Sequence, residues 1–329
     1  MAATIRDVAK LANVSVATVS RVINESGSVN DKTKQKVLEA IRELDYQPND
    51  VARSLFKGKS KMIALFVPDI MNPFFPELAR AVEDITNQHG YTFVLCNTDN
   101  DHQKELKYLN ALLQKSIDGF IIVSSTMETN HINKLRVPII SLDRKTSSDL
   151  ISVTVNNREG ARQAVKHLKD LGCERIMYIA GPEDVSSARN RMLGYLDIVK
   201  EEEWFTEDYI LEGNYSMDDA YEVTRNMLMR NPNIDGIFAA NDLMGVGALQ
   251  AAASLNIDVP DKLSVISFDG IKLGETTSPA LTTMAQPIYK IGKRAAELLI
   301  NKIEKPTEVI ESEEHDVQLV VRESTQKGS

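Results

Sequence analysis

Cysteine is nearly missing from this 329-residue chain: Cys96 and Cys173 are the only two, each inside an apolar run and without a CxxC partner. That excludes a disulfide framework or a thiolate metal site and leaves two buried thiols. Histidine is scarce as well. His89, His102, His131, His167 and His315 are scattered, and no two have metal-ligand spacing. No apolar run approaches the roughly 20 residues of a membrane span. Met1-Ala2-Ala3 opens no signal peptide, so a cytoplasmic protein without a membrane partner is expected. Neither a G-x-S-x-G elbow nor a P-loop occurs. Gly245-Val246-Gly247 lacks the third glycine of a dinucleotide motif and falls in a helical stretch. These gaps argue against an enzyme, and no catalytic residue, metal or cofactor is expected.

Positive charge is also in deficit. The chain carries a net −9, which at first excludes a nucleic-acid partner, but the charge is unevenly divided. Residues 1–60 hold 10 Lys and Arg against 7 Asp and Glu, a net of +3; the rest hold 28 against 40, a net of −12. Only the first part suits a phosphate backbone. The overall length predicts two or three domains, and the 43% hydrophobic and 26% charged content is that of a globular protein.

The basic part begins with two short helices around a tight turn. Thr4 caps the first with Asp7 three residues on, and Ile5, Val8 and Ala12 share a face. Asn13-Val14 is the turn. Ser15 caps a second helix whose Val16, Val19 and Ile23 are expected to pack inward, leaving Ala17, Ser20, Arg21 and Asn24 free. Asn30 to Leu44 supplies a third helix, apolar at Val37, Leu38, Ile41 and Leu44. Asn49 to Leu55 is a helix of about two turns, too short to hold together alone in water. Lys57-Gly58-Lys59-Ser60-Lys61 is a polar tether.

From Met62 the pattern changes. Apolar runs at Met62–Val67, Tyr91–Asn97, Gly119–Ser124 and Val137–Leu142 are followed by Arg175–Ala180, Gly236–Ala240 and Leu263–Phe268. Helical stretches such as Glu77–His89, Gln103–Lys115, Glu159–Leu171 and Met217–Met229 lie between them. Alternation of this kind builds parallel sheets covered on both faces. Two successive sets meet near Val153–Asn157, which predicts two lobes with a cleft between them. Ligands of open α/β sheets sit beyond the carboxyl ends of the strands. Those ends carry Asn72-Pro73-Phe74-Phe75, Asp143-Arg144, Asn241-Asp242 and Phe268-Asp269, with Arg189, Arg191 and Gln286 on adjoining segments. Carboxylates accept from hydroxyls, Arg and Asn donate to oxygens, and rings lie against C–H faces, which together suit a neutral polyol.

T-I-x-D-V-A-K-x-A-x-V-S-x-x-T-V-S-R-V-I-N from Thr4, followed by Y-Q-P-N-x-V-A-R-S-L at Tyr46 to Leu55, resembles the LacI/GalR repressor family. The resemblance implies an α/β protein with an all-α helix-turn-helix head at 1–48 and a hinge helix and linker at 49–60. A periplasmic-binding-protein-like core follows, with lobes at 61–157 plus 287–305 and 158–286 plus 306–329. It implies phosphate contacts from Thr4, Ser15, Ser20, Asn24 and Tyr46, and base readout by Val16, Ala17 and Arg21. Leu55 would wedge into the minor groove. The core is similar to periplasmic sugar-binding proteins, in particular the ribose-binding one. That likeness carries over Asn72, Phe74, Phe75, Asp143, Arg144, Arg191, Asn241, Phe268, Asp269 and Gln286 as ligand-binding residues. Head and core together imply a homodimer on a near-palindromic operator, released by a small sugar, with ribose expected. A catabolite regulator of the same family, worked by a protein corepressor, a phosphorylated sugar or a purine, stays open beside it. No C-terminal heptad helix follows Leu319-Val320-Val321, which favours a dimer over a tetramer.

Overall fold

Capping side chains start each of the first three helices: α1 (Ile5–Leu11), α2 (Val16–Ile23) and α3 (Asp31–Glu43). Asp7 Oδ2 accepts from the Thr4 N–H at 2.9 Å and from its hydroxyl at 2.7 Å. Ser15 Oγ accepts from Thr18 N–H at 3.1 Å and Asn30 Oδ1 from Thr33 N–H at 2.9 Å. Asn13 takes φ 50° between α1 and α2, a left-handed turn that Asn tolerates. Val8, Ala12, Val19, Val22, Val37 and Ala40 close the small core. Two expectations are corrected here. Val16 does not pack inward but is 42% exposed, and Val22 is buried instead. As the first residue of α2, Val16 leans back off the helix end, away from α1 and α3. Leu38 is exposed while Ala40 is buried, because the buried stripe of α3 runs through Val37 and Ala40, three apart.

The computed structural model describes residues 3–24, 27–46, 60–123, 135–144 and 150–325. The chain divides into two compact units, Met1–Ser60 and Lys61–Ser329. The second unit holds two six-stranded sheets. In the first, β1 (Met62–Val67), β2 (Thr92–Asn97), β3 (Gly119–Ile122), β4 (Ile139–Leu142), β5 (Ile151–Val155) and β11 (Glu313–His315) run parallel, in the order β11-β5-β4-β3-β1-β2. In the second, β6 (Ile176–Ala180), β7 (Ile210–Glu212), β8 (Gly236–Ala239), β9 (Ser264–Asp269), β10 (Thr282–Ala285) and β12 (Gln318–Val320) lie in the order β12-β10-β9-β8-β6-β7. Only β12 there is antiparallel to its neighbour.

Helices α4 (Phe74–Gln88), α5 (His102–Gln114) and α10 (Ile288–Glu304) cover the first sheet. Helices α6 (Asn157–Asp170), α7 (Ser186–Val199), α8 (Met217–Arg230) and α9 (Asp242–Ser254) cover the second. With both faces covered, β3, β4, β6, β8 and β9 are buried along their whole length, which explains their unbroken apolar runs. Cys96 and Cys173 are buried thiols among these layers.

The chain crosses between the sheets three times: after β5, between β10 and α10, and between β11 and β12. This corrects the expected assignment of all of 306–329 to the second lobe. Glu313–His315 pairs with β5 on the first sheet, tied there by Arg294, whose Nη2 donates to Glu313 Oε1 at 2.6 Å. Of the stretch Val153–Asn157, read above as the meeting point of the lobes, Val153–Val155 ends strand β5 of the first sheet and Asn157 begins α6.

Candidate functional site

On α2, Val16, Ala17 and Arg21 stand in solvent, and Ala17 and Arg21 are one turn apart on the same face. Thr4, Ser15, Ser20 and Asn24 are also at or near the surface, but their polar groups already have partners, except Asn24 Oδ1, which is buried with none among the described residues. The Thr4 hydroxyl donates to Asp7, so a phosphate would have to take that donor over. This bond and the one from the Thr4 N–H hold the Asp7 carboxyl below its ordinary range. Ser15 Oγ caps α2 and also bonds the Thr18 hydroxyl at 2.9 Å. Asn24 Nδ2 donates to Ser20 O at 2.9 Å and Ser20 Oγ at 3.2 Å, which fixes the end of the helix. Tyr46 is half-buried against the head core. Leu55, with the whole hinge segment, lies outside the described residues.

In the second unit, a narrow polar cavity lies between the carboxyl ends of the two sheets, the place where open α/β sheets bind ligands. The first sheet contributes Asn72, Phe74 and Phe75 beyond β1 and Asp143 and Arg144 beyond β4; the second contributes Arg191, Asn241 and Asp269. Asn72 Oδ1 accepts from Phe74 N–H at 3.1 Å, and this Asx turn starts α4 and sets Phe74 and Phe75 edge to face. Asn241 Oδ1 caps α9 by accepting from Met244 N–H at 2.9 Å. With Asn241 as the cap, the Asp242 side chain that follows it is free for another purpose.

Two of the expected ligand residues do not line the cavity but support it. Phe268 is fully buried under the Arg191 guanidinium, 3.9 Å from ring centre to Cζ. Gln286 sits behind Asp269 and donates from Nε2 to its Oδ1 at 2.8 Å. Conversely, Ser187 and Tyr215 line the cavity without having been expected. Ser187 is one helical turn before Arg191, so the i, i+4 spacing could have revealed it. Tyr215 follows β7, whose three residues carry too short an apolar run to mark a strand end. Its ring lies against Gly181, where a Cβ would come within 2.6 Å of it.

The electrostatics are those of two buried ion pairs that leave groups over for a ligand. Arg191 donates from Nε to Asn157 Oδ1 at 2.8 Å, and from Nη1 to Ala240 O at 2.5 Å and Asp269 Oδ1 at 3.1 Å. Its Nη2 makes no hydrogen bond among the described residues. Arg144 lies 3.7 Å from Asp143 and stacks between the rings of Phe75 and Tyr215, at 6.0 and 5.7 Å, one from each lobe. Burial pushes the Asp143 carboxyl above its usual range against the pull of Arg144 and Arg191. Burial likewise raises Asp269 to about 7, Arg191 opposing. Asp143 Oδ1, Gln286 Oε1 and Arg144 Nε are buried with no hydrogen-bond partner among the described residues. Three cavity residues hold strained backbone: Asp143 at φ 64°, Tyr215 at 61° and Asp269 at 118°. Arg144 N–H reaches Leu142 O at 2.7 Å across Asp143, a tight three-residue turn that aims both side chains into the cleft.

A helix that presents bare side chains for reading DNA and, in the other unit, a closed polar cleft are the two working parts of a ligand-controlled transcriptional regulator. Residues 4–49 match the model for bacterial regulatory proteins of the lacI family, and residues 165–325 that for a periplasmic binding protein-like domain. The chain is 47% identical to the ribose operon repressor of Halalkalibacterium halodurans, covering 99% of this chain and 98% of that one. Its fold matches that of the lac repressor dimer bound to operator and the anti-inducer ONPF, with TM-score 0.88 at 28% identity over 99% of both chains. It also matches a LacI family regulator from Enterococcus faecium with bound ribose, with TM-score 0.73 at 31% identity over 82% of this chain and all of that one. The chain belongs to the lacI family of bacterial regulatory proteins.

Proposed function

We propose that this protein is a dimeric cytoplasmic repressor that binds a near-palindromic operator and lets go of it when ribose fills the interlobe cleft. The observation that carries the sugar reading is the set of buried polar atoms left over around the cavity. Asp143 Oδ1 is an acceptor and Arg144 Nε a donor; both belong to residues lining the cavity, and both are desolvated. A polyol hydroxyl both donates and accepts, so a single small sugar can satisfy both while its C–H faces meet Phe75 and Tyr215. The protein acts by binding, not by catalysis. Arg21, Ala17 and Val16 read bases, and Leu55 of the 49–60 hinge wedges the duplex.

Calorimetry against a panel of pentoses, hexoses and ribose 5-phosphate tests the reading. Ribose is expected to bind one per chain, and Asp143→Ala to abolish its binding, because the charged acceptor goes and Arg144 is left buried and unpaired. Operator binding without sugar should survive that change. Ribose heats indistinguishable from buffer, with a strong signal from the phosphate ester, would overturn the proposal in favour of a catabolite-type effector.

A further inference from the structure

Asp242 is fully buried and forms no ion pair among the described residues. A carboxylate so placed is costly unless neutral donors surround it. They do. Oδ1 accepts from Ser267 Oγ at 2.5 Å and from Thr283 Oγ1 at 2.7 Å, and Oδ2 from Ile271 N–H at 2.7 Å. The Gly270 N–H adds to the same field. The donors come from β9, β10 and the turn between them, while Asp242 itself is the first residue of α9. One side chain thus ties three elements together directly behind the cavity.

The turn it holds is the strained one. Asp269 has φ 118°, a region that side chains avoid, and Gly270 follows at φ 82°. At Gly270 a Cβ would fall 2.6 Å from Ala285 Cβ, so the turn is pressed flat on β10. Successive N–H groups of such a turn converge on an anion, and here the anion is the Asp242 carboxylate. The same conformation turns the Asp269 side chain toward Arg191 and Gln286 at the cavity. We propose that Asp242 is a positioning residue for sugar recognition, whose carboxylate clamps the Asp269–Gly270 turn so that Asp269 faces the cleft. Asn241 and Asp242 then divide the work of one strand end, the first lining the cavity and the second holding the turn opposite.

This inference rests on the ribose reading above, and the test separates the two. Ribose is titrated calorimetrically into the full-length wild type, Asp242→Asn, Thr283→Val, Asp269→Asn and the Asp242→Asn/Asp269→Asn double variant. Absence of ribose binding by the wild type sinks the ligand assignment itself. Given wild-type binding, Asp242→Asn is expected to weaken ribose at least tenfold, because its amide meets the Ile271 N–H with a donor or a single weak acceptor. Thr283→Val removes only one donor and should weaken ribose by severalfold. If Asp242 acts through Asp269, the double variant will lose little more than Asp269→Asn alone; a merely structural contribution would multiply the two losses. Unchanged ribose affinity in Asp242→Asn, or in Thr283→Val if the former does not fold, overturns the positioning role, and so do multiplying losses.

Discussion

Arg191 is the side chain on which the second half of the cleft is assembled, since its fork joins Asn157, Ala240 and Asp269 and rests on Phe268. Replacing it with Met leaves Asp269 buried without its cation, which typically costs about 3–5 kcal/mol. Denaturant titration of Arg191→Met at pH 7.5 should show that loss. At pH 5.5 the loss should shrink, because a carboxyl already raised to about 7 by burial can take up a proton instead. A loss independent of pH would mean that Asp269 stays ionised even unpaired. The wild type follows from the same shift. Burial raises the Asp269 carboxyl in the folded chain to about 7, above its value in the unfolded chain, so this group favours folding at low pH. That contribution is lost as pH rises from about 4 to about 7. Sugar hydroxyls that donate to Asp269 favour the carboxylate, so ribose binding should expel a proton and tighten between pH 5.5 and 7.5. Titrations in two buffers of different ionisation heat count that proton, and tighter binding at the lower pH would reverse the assignment. Much of this site was legible in the sequence because strand ends announce themselves by the apolar runs before them. Tyr215 was not legible, since β7 is only Ile210-Leu211-Glu212, and its aim depends on a φ of 61° that no composition encodes. The supporting roles of Phe268 and Gln286 were hidden for another reason: facing the cavity and backing it look alike in a linear motif.

Among the elements, α2 separates stability from reading. Ser15→Ala removes the cap on Thr18 N–H and should lower the stability of the head by about 0.5–2 kcal/mol, weakening all DNA alike. Arg21 makes no structural bond in the head among the described residues and can pair bidentately with guanine. Arg21→Ala should leave the melting of the head unchanged, cost about 1–3 kcal/mol at a specific operator and relax the preference at one base pair. Footprints with unchanged base preference would remove α2 from the recognition role. Long, buried elements such as β1, β6 and β9 could be read from their runs of apolar residues. β11 could not: Glu313-Glu314-His315 has no apolar residue, and it is a strand because β5 offers an edge and Arg294 a partner. Tertiary pairing, not propensity, makes that element. The inward face of α2 failed at Val16 because a first-turn side chain projects past the helix it begins.

For the molecule as a whole, the consequence lies in three crossings between two sheets and a cavity made of both. Arg144 stacked between Phe75 and Tyr215 joins the lobes through one cation, so whatever occupies the cavity is held by both halves and favours their closed arrangement. A ligand can shift such an equilibrium only by its differential affinity for the two arrangements. If the closed form binds operator less well, ribose must weaken operator binding, and operator must weaken ribose binding by the same factor. Couplings of about 1–3 kcal/mol correspond to roughly 5–150-fold. Ribose affinity is therefore to be measured with and without a saturating operator duplex, and operator affinity with and without ribose; the two ratios should agree and exceed about fivefold. Arg144→Met should reduce that ratio more than Asn72→Ala does, because it removes the contact that spans the lobes, while Asn72 belongs to the first lobe only. Identical ribose affinities in the two conditions would uncouple the sites and hand control of the repressor to another signal. Tighter ribose binding on operator would make the sugar a corepressor, with the closed cleft as the DNA-binding form.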